Sequence, residues 1–179
     1  MKRRPWIAFF SQTGAEIADL SERLGIWPDV IITNERPSEL RRIDERIYDS
    51  GKLCFLPNRP EVDAYLYILD FYRKPIITLH GWLRIMPPYI CGKHEIYNGH
   101  PGLITRYPEL KGKDPQIRAF EGKYKTIGAV LHRVIAGVDE GKVIMQEEFN
   151  GDNLTLDETF RILRDRSLYM WSNFLREAL

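Results

Sequence analysis

Short apolar runs alternate with amphipathic segments along the first half of the chain. Each run has the length and composition of a buried strand, and the four runs are Ile7–Phe10, Val30–Thr33, Leu53–Leu56 and Pro75–Leu79. Between them, apolar residues recur at helical spacing, as at Ile17, Leu20 and Leu24 and again from Val62 to Tyr72. The polar segment Glu35–Ser50 predicts a surface helix that starts at Pro37–Leu40.

The second half of the chain predicts shorter elements and one long helix. In order, these are a short helix at Pro88–Gly92, a strand at Glu95–Asn98, a loop at Pro101–Pro115, a short helix at Pro115–Glu121, strands at Thr126–Ile135 and Val143–Phe149, and an amphipathic helix from Leu156 to the C-terminus. Strands that alternate with helices predict an α/β protein with a Rossmann-like, mainly parallel sheet, helices on both faces and later antiparallel strands. The 179 residues fit one domain, residues 1–179.

Composition narrows the class of protein. With 44% hydrophobic and 28% charged residues the chain is typical of globular proteins, and no apolar run approaches the length of a membrane span. The basic N-terminus leads into a predicted strand and not a signal peptide, so we expect a cytoplasmic protein with Cys54 and Cys91 as buried, reduced thiols. A formal net charge of +1 predicts no strong non-specific binding to nucleic acid, and the histidine spacing predicts no metal site.

Three unusual stretches follow predicted strands, where ligands bind in open α/β sheets: Ser11–Gly14, His80–Met86 and Asn98–Gly102. In the last stretch, the Asn98 amide can donate to a developing oxyanion, a contact that contributes roughly 2.7–4 kcal/mol when preorganised. His100 stands two residues away, and the proline that follows it stiffens the backbone. A purely structural turn is the alternative interpretation of this stretch.

Asn98 and His100 lack a carboxylate to orient the imidazole, and Asp139 is the candidate to supply one. It lies in the glycine-bounded loop Ala136–Gly141 between two predicted strands, from which a side chain can point into a cleft. An ordinary hairpin turn is the alternative, since Asp and Gly are common in turns. The neighbouring Glu140 side chain is expected in solvent.

The loop Ser11–Gly14 stands where a phosphate cradle would lie but contains a single glycine. Glu16 follows at the predicted helix N-terminus, where its carboxylate can satisfy the helix dipole and repel a phosphate. We therefore predict a weak phosphate site. His94 and His132 are predicted to be structural or surface residues.

Two motifs resemble those of the folate-dependent formyltransferases, which include glycinamide ribonucleotide transformylase, methionyl-tRNA formyltransferase and the sugar N-formyltransferases. The family sequence Asn-x-His-Pro-Ser-Leu-Leu-Pro corresponds to Asn98–Thr105, with Gly102 and Thr105 in place of Ser and Pro, a change expected to enlarge the acceptor entrance. The second motif, Val-Asp-x-Gly-x-Ile-Leu-Gln-Glu, corresponds to Val138–Glu147, and Gly81–Met86 resembles the run that lines the folate pocket. The resemblance covers nearly the whole chain.

This resemblance implies the formyltransferase fold and an enzyme that moves a formyl group from 10-formyltetrahydrofolate to a primary amine, without a metal. It assigns catalysis to Asn98 and a protonated His100, which would stabilise the tetrahedral oxyanion, and to Asp139, which would support the imidazolium. The implied folate-binding residues are Leu83, Arg84, Ile85 and Met86 with the backbone near Val138, Glu140 and Gly141. The implied acceptor-binding residues are Ser11, Thr13, Gly14, Glu16, Gly81, Gly99, Pro101 and Asp165.

The sequence differs from the family motifs at positions where the resemblance implies acceptor binding. The Gly-Ser-Asn phosphate loop of the glycinamide branch reads Gly14-Ala15-Glu16 here, so we favour an acceptor whose phosphate is not held at this loop. Glycinamide ribonucleotide, an amino sugar nucleotide and an amine on a modified nucleoside remain open as acceptors. The basic segment Leu110–Asp114 is either an acceptor-side loop or a solvated one.

The sequence also leads to expectations about binding partners and to two alternative functions. The tRNA branch carries a C-terminal β-barrel for which nothing follows Leu179, so we expect no whole-tRNA binding, and we expect no membrane partner. The long last helix with Trp171 either covers the sheet or forms a homodimer interface. Hydrolysis of 10-formyltetrahydrofolate and non-catalytic binding of a folate or nucleotide are the alternative functions.

Overall fold

The computed structural model describes residues 3–34 and 42–179, in which seven strands form one sheet in the order β3-β2-β1-β4-β5-β6-β7. The strands are β1 (Trp6–Phe10), β2 (Val30–Thr33), β3 (Leu53–Phe55), β4 (Ile76–Leu79), β5 (Glu95–His100), β6 (Thr126–Arg133) and β7 (Val143–Asn150). The helices are α1 (Ala15–Leu24), α2 (Glu45–Asp49), α3 (Val62–Leu69), α4 (Pro88–Lys93), α5 (Pro115–Glu121) and α6 (Leu156–Ala178), with a 3₁₀ turn at Pro108–Leu110.

The sheet is mainly parallel, which confirms the predicted fold class. β1 to β5 pair in parallel, whereas β6 is antiparallel to both β5 and β7. The chain places β2 on one side of β1 and β4 on the other, so the strand order reverses at β1. A crevice forms at the carboxyl ends of strands where the order reverses in this way, and ligands bind there in open α/β sheets.

Two apolar cores cover the two faces of the sheet, and β1 contributes to both. Trp6, Ala8 and Phe10 pack with α1 and α6, whereas Ile7 and Phe9 pack with α3 and α4 on the opposite face. All five residues are fully buried, and successive strand side chains point to opposite faces. Complete burial of a large apolar side chain contributes about 1.5–3 kcal/mol, so β1 is firmly held between the two faces.

β5 is longer than the hydrophobic pattern predicts. It continues through His100 because β6 pairs with its last residues, with Asn98 opposite His132 and His100 opposite Val130. Asn98 and His100 therefore belong to a strand and not to a loop after it, which corrects the expected turn. The predicted helix start at Pro37–Leu40 lies outside the described residues.

The other predicted elements are found with small changes of boundary. α3 ends at Leu69 instead of continuing to Tyr72, and the final helix forms one element of 23 residues. Cys54 and Cys91 are both free thiols, but Cys54 is only half-buried. Across residues 3–34 and 42–179, no helix combines the length and apolar character needed to cross a membrane.

Candidate active site

Asn98 and His100 project from the end of β5 on the same side of the strand, since side chains two residues apart share a face. Gly99 faces the other way, and a Cβ on it would lie only 2.8 Å from the Trp171 indole nitrogen of α6. A larger residue there would push α6 off the sheet. Glycine at position 99 therefore allows α6 to pack directly on the part of β5 that carries Asn98 and His100.

Both ring nitrogens of the buried His100 face oxygen acceptors. Its Nε2 lies 2.9 Å from the Leu110 carbonyl oxygen, and its Nδ1 lies 3.3 Å from Asp139 Oδ2. Burial nevertheless lowers the pKa of His100 below the ordinary histidine value, although Asp139 and the Leu110 carbonyl act to raise it. Burial thus opposes protonation of His100, whereas the acceptors at both ring nitrogens would stabilise an imidazolium once it forms.

Asp139 lies in the connection between β6 and β7 with its backbone in the left-handed region, at φ 51°. Its Oδ2 accepts a hydrogen bond from the Gly112 N–H at 2.9 Å, and its Oδ1 lies 3.3 Å from His132 Nε2. Burial opposes ionisation of Asp139, but the neighbouring His100 and the hydrogen bond from the Gly112 N–H hold the pKa of Asp139 below its ordinary value. The turn between β6 and β7 carries the Asp139 carboxylate to His100, so the hairpin interpretation is compatible with the predicted contact to the imidazole.

His132 is a site residue that sequence reasoning missed. Its Nδ1 lies 3.0 Å from the Arg133 carbonyl oxygen, which can only accept, so Nδ1 carries the proton. Its Nε2 then accepts from the Asn98 side-chain N–H at 3.2 Å and fixes the orientation of that amide. His132 is 2% exposed, which excludes the predicted surface position. The antiparallel pairing of β5 with β6 brings the two together, and no local pattern reveals that register.

Arg118 of α5 fastens the loop that contacts His100 and Asp139. Its guanidinium donates to the carbonyls of Glu109, Leu110, Lys111 and Lys113 at 2.5–3.1 Å. The same loop supplies the Leu110 carbonyl and the Gly112 N–H. The basic segment Leu110–Asp114 is therefore part of the site wall.

Pro115 fills the space beside Gly102. A Cβ on Gly102 would lie 2.7 Å from the Pro115 Cβ and 2.9 Å from His100 Nε2. The expected enlargement of the acceptor entrance by Gly102 is thus wrong, because Pro115 and His100 occupy the room that a side chain at Gly102 would take. Thr105 is exposed.

A cavity of about 670 Å³ opens beside Asn98, His100 and Asp139. Leu83, Arg84, Ile85, Met86 and Val138 line it, as expected of folate-binding residues, together with Gly112–Gln116 and His132. The lining residues do not include Glu140 and Gly141. The Glu140 side chain folds over Gly137 in an exposed position, and Gly141 is buried against the Arg133 carbonyl.

A smaller cavity of about 280 Å³ lies on the other side of Gly99. Of the expected acceptor-binding residues, Thr13, Gly14, Glu16, Gly81, Gly99 and Pro101 line it. Ser11 does not, because its buried hydroxyl donates to Asn34 Oδ1 at 2.7 Å and accepts from the Leu83 N–H at 3.0 Å.

The structure does not bring Asp165 to either cavity. Asp165 is exposed, and α6 instead lines the smaller cavity with Phe160, Leu163, Arg164 and Ser167. These four residues follow the i, i+3, i+4, i+7 spacing of one helical face. That spacing is visible in the sequence and could have identified these residues. Gln12 and His80 also line the cavity, and they could have been identified because they follow the ends of β1 and β4.

The architecture defines a class of protein: a doubly wound α/β protein whose Asn–His–Asp cluster lines the larger of two adjoining cavities at the carboxyl ends of the parallel strands. The model of the formyl transferase family matches residues 47–175, so the chain belongs to the formyl transferase family. This confirms the family resemblance carried by the two motifs.

Characterised relatives carry three different names. The chain is 34% identical over 136 residues to the methionyl-tRNA formyltransferase of Thermotoga neapolitana, covering 73% of this chain and 41% of that protein. It is 32% identical over 113 residues to the phosphoribosylglycinamide formyltransferase of Dictyostelium discoideum, covering 56% and 55%. It is 29% identical over 114 residues to the formyltetrahydrofolate deformylase of Escherichia coli K12, covering 62% and 40%. The chain thus spans between 40% and 55% of the length of these relatives.

Solved structures confirm the fold over the full length of the chain. The phosphoribosylglycinamide formyltransferase of Campylobacter jejuni superposes with a TM-score of 0.82 at 18% identity, covering 98% of this chain and 97% of that one. The corresponding protein of Streptococcus pneumoniae also gives 0.82, at 19% identity, covering 97% and 98%. At such identities the likeness shows the arrangement of strands and helices alone.

Proposed function

We propose that this chain transfers a formyl group from 10-formyltetrahydrofolate to a primary amine of a small acceptor. The observation that carries the proposal is the pair of cavities, which share Gln12, Gly81, Gly99 and Pro101 in their walls. The larger one has the volume typical of sites for cofactor-sized ligands. The smaller one offers room for a second substrate beside the same strand end.

In this proposal, Asn98 stabilises the charge that forms during transfer. As the amine nitrogen bonds to the formyl carbon, the formyl oxygen becomes an oxyanion that needs a hydrogen-bond donor. One N–H of the Asn98 amide is held by His132, which leaves the second N–H free to donate to that oxygen. Collapse of the intermediate breaks the bond between the formyl carbon and N10 of the folate, which leaves as tetrahydrofolate after taking up a proton.

His100 is placed to take the proton that the attacking amine releases. Burial lowers the pKa of His100, and the imidazolium that forms has an acceptor for each N–H, namely the Leu110 carbonyl and Asp139 Oδ2. A proton held in this way can pass on to the departing folate nitrogen. General acid–base catalysis of this kind contributes typically 10²–10⁴-fold to the rate.

Hydrolysis of the formyl donor is a second candidate, because one of the relatives is named formyltetrahydrofolate deformylase. Water would then replace the amine as nucleophile and release formate. Water needs no cavity of about 280 Å³, so the smaller cavity favours an amine. The two reactions separate in a direct measurement: formate release without added amine, at the rate seen with amine, would favour hydrolysis.

The transfer is tested by incubating the protein with 10-formyltetrahydrofolate and a panel of primary amines, and measuring formylated amine and tetrahydrofolate. Replacement of Asn98 by Ala should lower kcat about 10²–10³-fold while folate binding is retained. Asn150→Ala is the matched control and should leave kcat unchanged, because Asn150 lies at the end of β7 away from the loop that carries Asp139. Full activity in the Asn98 variant would refute the assignment.

A further inference from the structure

The smaller cavity has a fixed carboxylate at the position where a helix normally attracts an anion. Glu16 lies in the first turn of α1, whose N-terminus lines the cavity. Unpaired N–H groups and the helix dipole make such a terminus favourable for a phosphate when it is unoccupied. Here the Glu16 carboxylate already supplies the negative charge.

Glu16 cannot swing aside, because both carboxylate oxygens are held. His80 Nδ1 donates to Oε2 at 2.7 Å, and the Ser167 hydroxyl of α6 donates to Oε1 at 2.5 Å. Burial opposes ionisation, but His80, Ser167 and the charge of Arg164 hold the pKa of Glu16 below its ordinary value. The carboxylate is therefore charged at neutral pH and anchored from two sides of the cavity.

His80 is itself held rigidly in the cavity wall. Its side chain is 1% exposed, its Nε2 lies 2.9 Å from the Thr78 hydroxyl, and that hydroxyl accepts from the Trp6 indole N–H at 2.8 Å. Its ring packs against Trp171, with the ring centres 4.6 Å apart. The contact of Glu16 with His80 thus belongs to the rigid core of the sheet and is not a surface ion pair.

The neighbouring cations are already matched by carboxylates. Arg164, the basic side chain among the described residues that line the cavity, pairs with Asp19. Arg46 on the adjoining α2 pairs with Asp19, Glu22 and Asp44. An incoming phosphate would meet the Glu16 charge with no unmatched cation beside it in the part of the chain that the structure describes.

Polar and apolar groups of the cavity nevertheless suit a ligand without a phosphate. Gln12 and Thr13 offer an amide and a hydroxyl, Glu16 offers acceptor oxygens, and Phe160 and Leu163 supply an apolar wall. Such a set binds hydroxyl groups on a small ring. We propose that the acceptor is a phosphate-free, hydroxyl-bearing amine of the amino sugar or nucleoside class, selected by Glu16 held between His80 and Ser167. This inference rests on the proposed transfer reaction.

Acceptor pairs that differ only in a phosphate test the proposal. Glycinamide ribonucleotide and its dephosphorylated riboside are compared as acceptors; the wild type should give the higher kcat/KM with the riboside. Glu16→Gln keeps an oxygen for His80 and an N–H for Ser167, so the fold is retained. It should raise kcat/KM for the phosphorylated acceptor by about tenfold or more relative to kcat/KM for the riboside, and so reverse or narrow the wild-type preference. Glu22→Gln, which removes a charge from the same helix outside the cavity, should change neither value.

A binding measurement keeps the inference separate from the transfer reaction. Inorganic phosphate is titrated into each ¹⁵N-labelled protein, and the amide signals of Gly14 and Ser167 are followed by NMR. Saturable shifts in Glu16→Gln over concentrations that leave the wild type unmoved would support the proposal even if neither acceptor is formylated. Equal responses in the two proteins, or a wild-type preference for the phosphorylated acceptor, would overturn it. Absence of formylation with every amine would instead refute the proposed function alone.

Discussion

Asp139→Asn isolates the charge of the carboxylate that faces His100. Asparagine keeps an oxygen that can accept from the Gly112 N–H, so the loop contact is preserved and only the charge is removed. At the observed 3.3 Å from His100 Nδ1, a full charge pair is worth about 1.3 kcal/mol at the dielectric constant of water and about 5 kcal/mol at an effective value of 20. The Asp139 side chain is 11% exposed, which favours the upper part of that range.

This interaction is gained as His100 takes up a proton, so its loss falls on the transition state and not on substrate binding. Since about 1.36 kcal/mol corresponds to a tenfold change in rate, kcat for formyl transfer should fall between about tenfold and several thousandfold. KM for the folate should change far less. Steady-state assays that measure formylated amine, with the folate concentration varied, separate the two quantities.

A titration of the His100 ring by NMR provides a second readout of the same charge. Asp139 raises the pKa of His100 against the effect of burial, so the variant should show a lower value than the wild type. Asp152→Asn, in the exposed turn before α6, is the control and should change neither kcat nor the titration. An Asp139 variant with less than about a threefold loss of kcat and an unshifted His100 would refute the assignment of Asp139.

Two further predictions concern the loop that holds His100 and the pH dependence of the free energy of unfolding. Arg118→Ala should lower kcat by about 10–100-fold, because it releases the Leu110 carbonyl that holds His100. Arg106→Ala, on the same loop, is the control and should not lower kcat. Equal losses of kcat in the two variants would contradict the assigned role of Arg118. Burial lowers the pKa of His100 and of His94, so the unfolded chain binds more protons below about pH 6.5, and the free energy of unfolding should fall from pH 7 to pH 5. Urea denaturation should show a weaker pH dependence in His100→Gln, and an unchanged slope would contradict the assigned burial effect.

The catalytic candidates could be predicted because each one stands in a short local pattern. Asn98 and His100 are two residues apart, and Asp139 stands in a glycine-bounded loop between two strands. The run after β4 that lines the larger cavity was singled out through the family resemblance of Gly81–Met86, and the periodicity indicated only that an irregular stretch follows a strand there. Local patterns contain no distances, however, so they could not show that Asp139 reaches His100.

Register and packing decided the residues that were missed or misplaced. His132 became part of the site because β6 runs antiparallel to β5 and sets it opposite Asn98. Asp165 failed to reach the acceptor side because the rotation of α6 turns the face of Phe160 and Ser167 toward the cavity. A shift of one residue in a strand or a helix changes which side chain faces a site, and sequence spacing alone does not determine that rotation.

By itself, the sequence determined the order of strands and helices, the parallel class of the sheet and the identity of the Asn–His–Asp cluster, because these depend on apolar periodicity and short motifs. Only the tertiary structure decided the surroundings of Glu16 in the smaller cavity. Glu16 meets His80 across 64 residues of chain and Ser167 across 151, and these contacts turn an ordinary helix-terminal acid into an anchored charge. The physical reason is that a side chain's partners depend on the path of the whole chain, whereas its secondary structure depends largely on its neighbours.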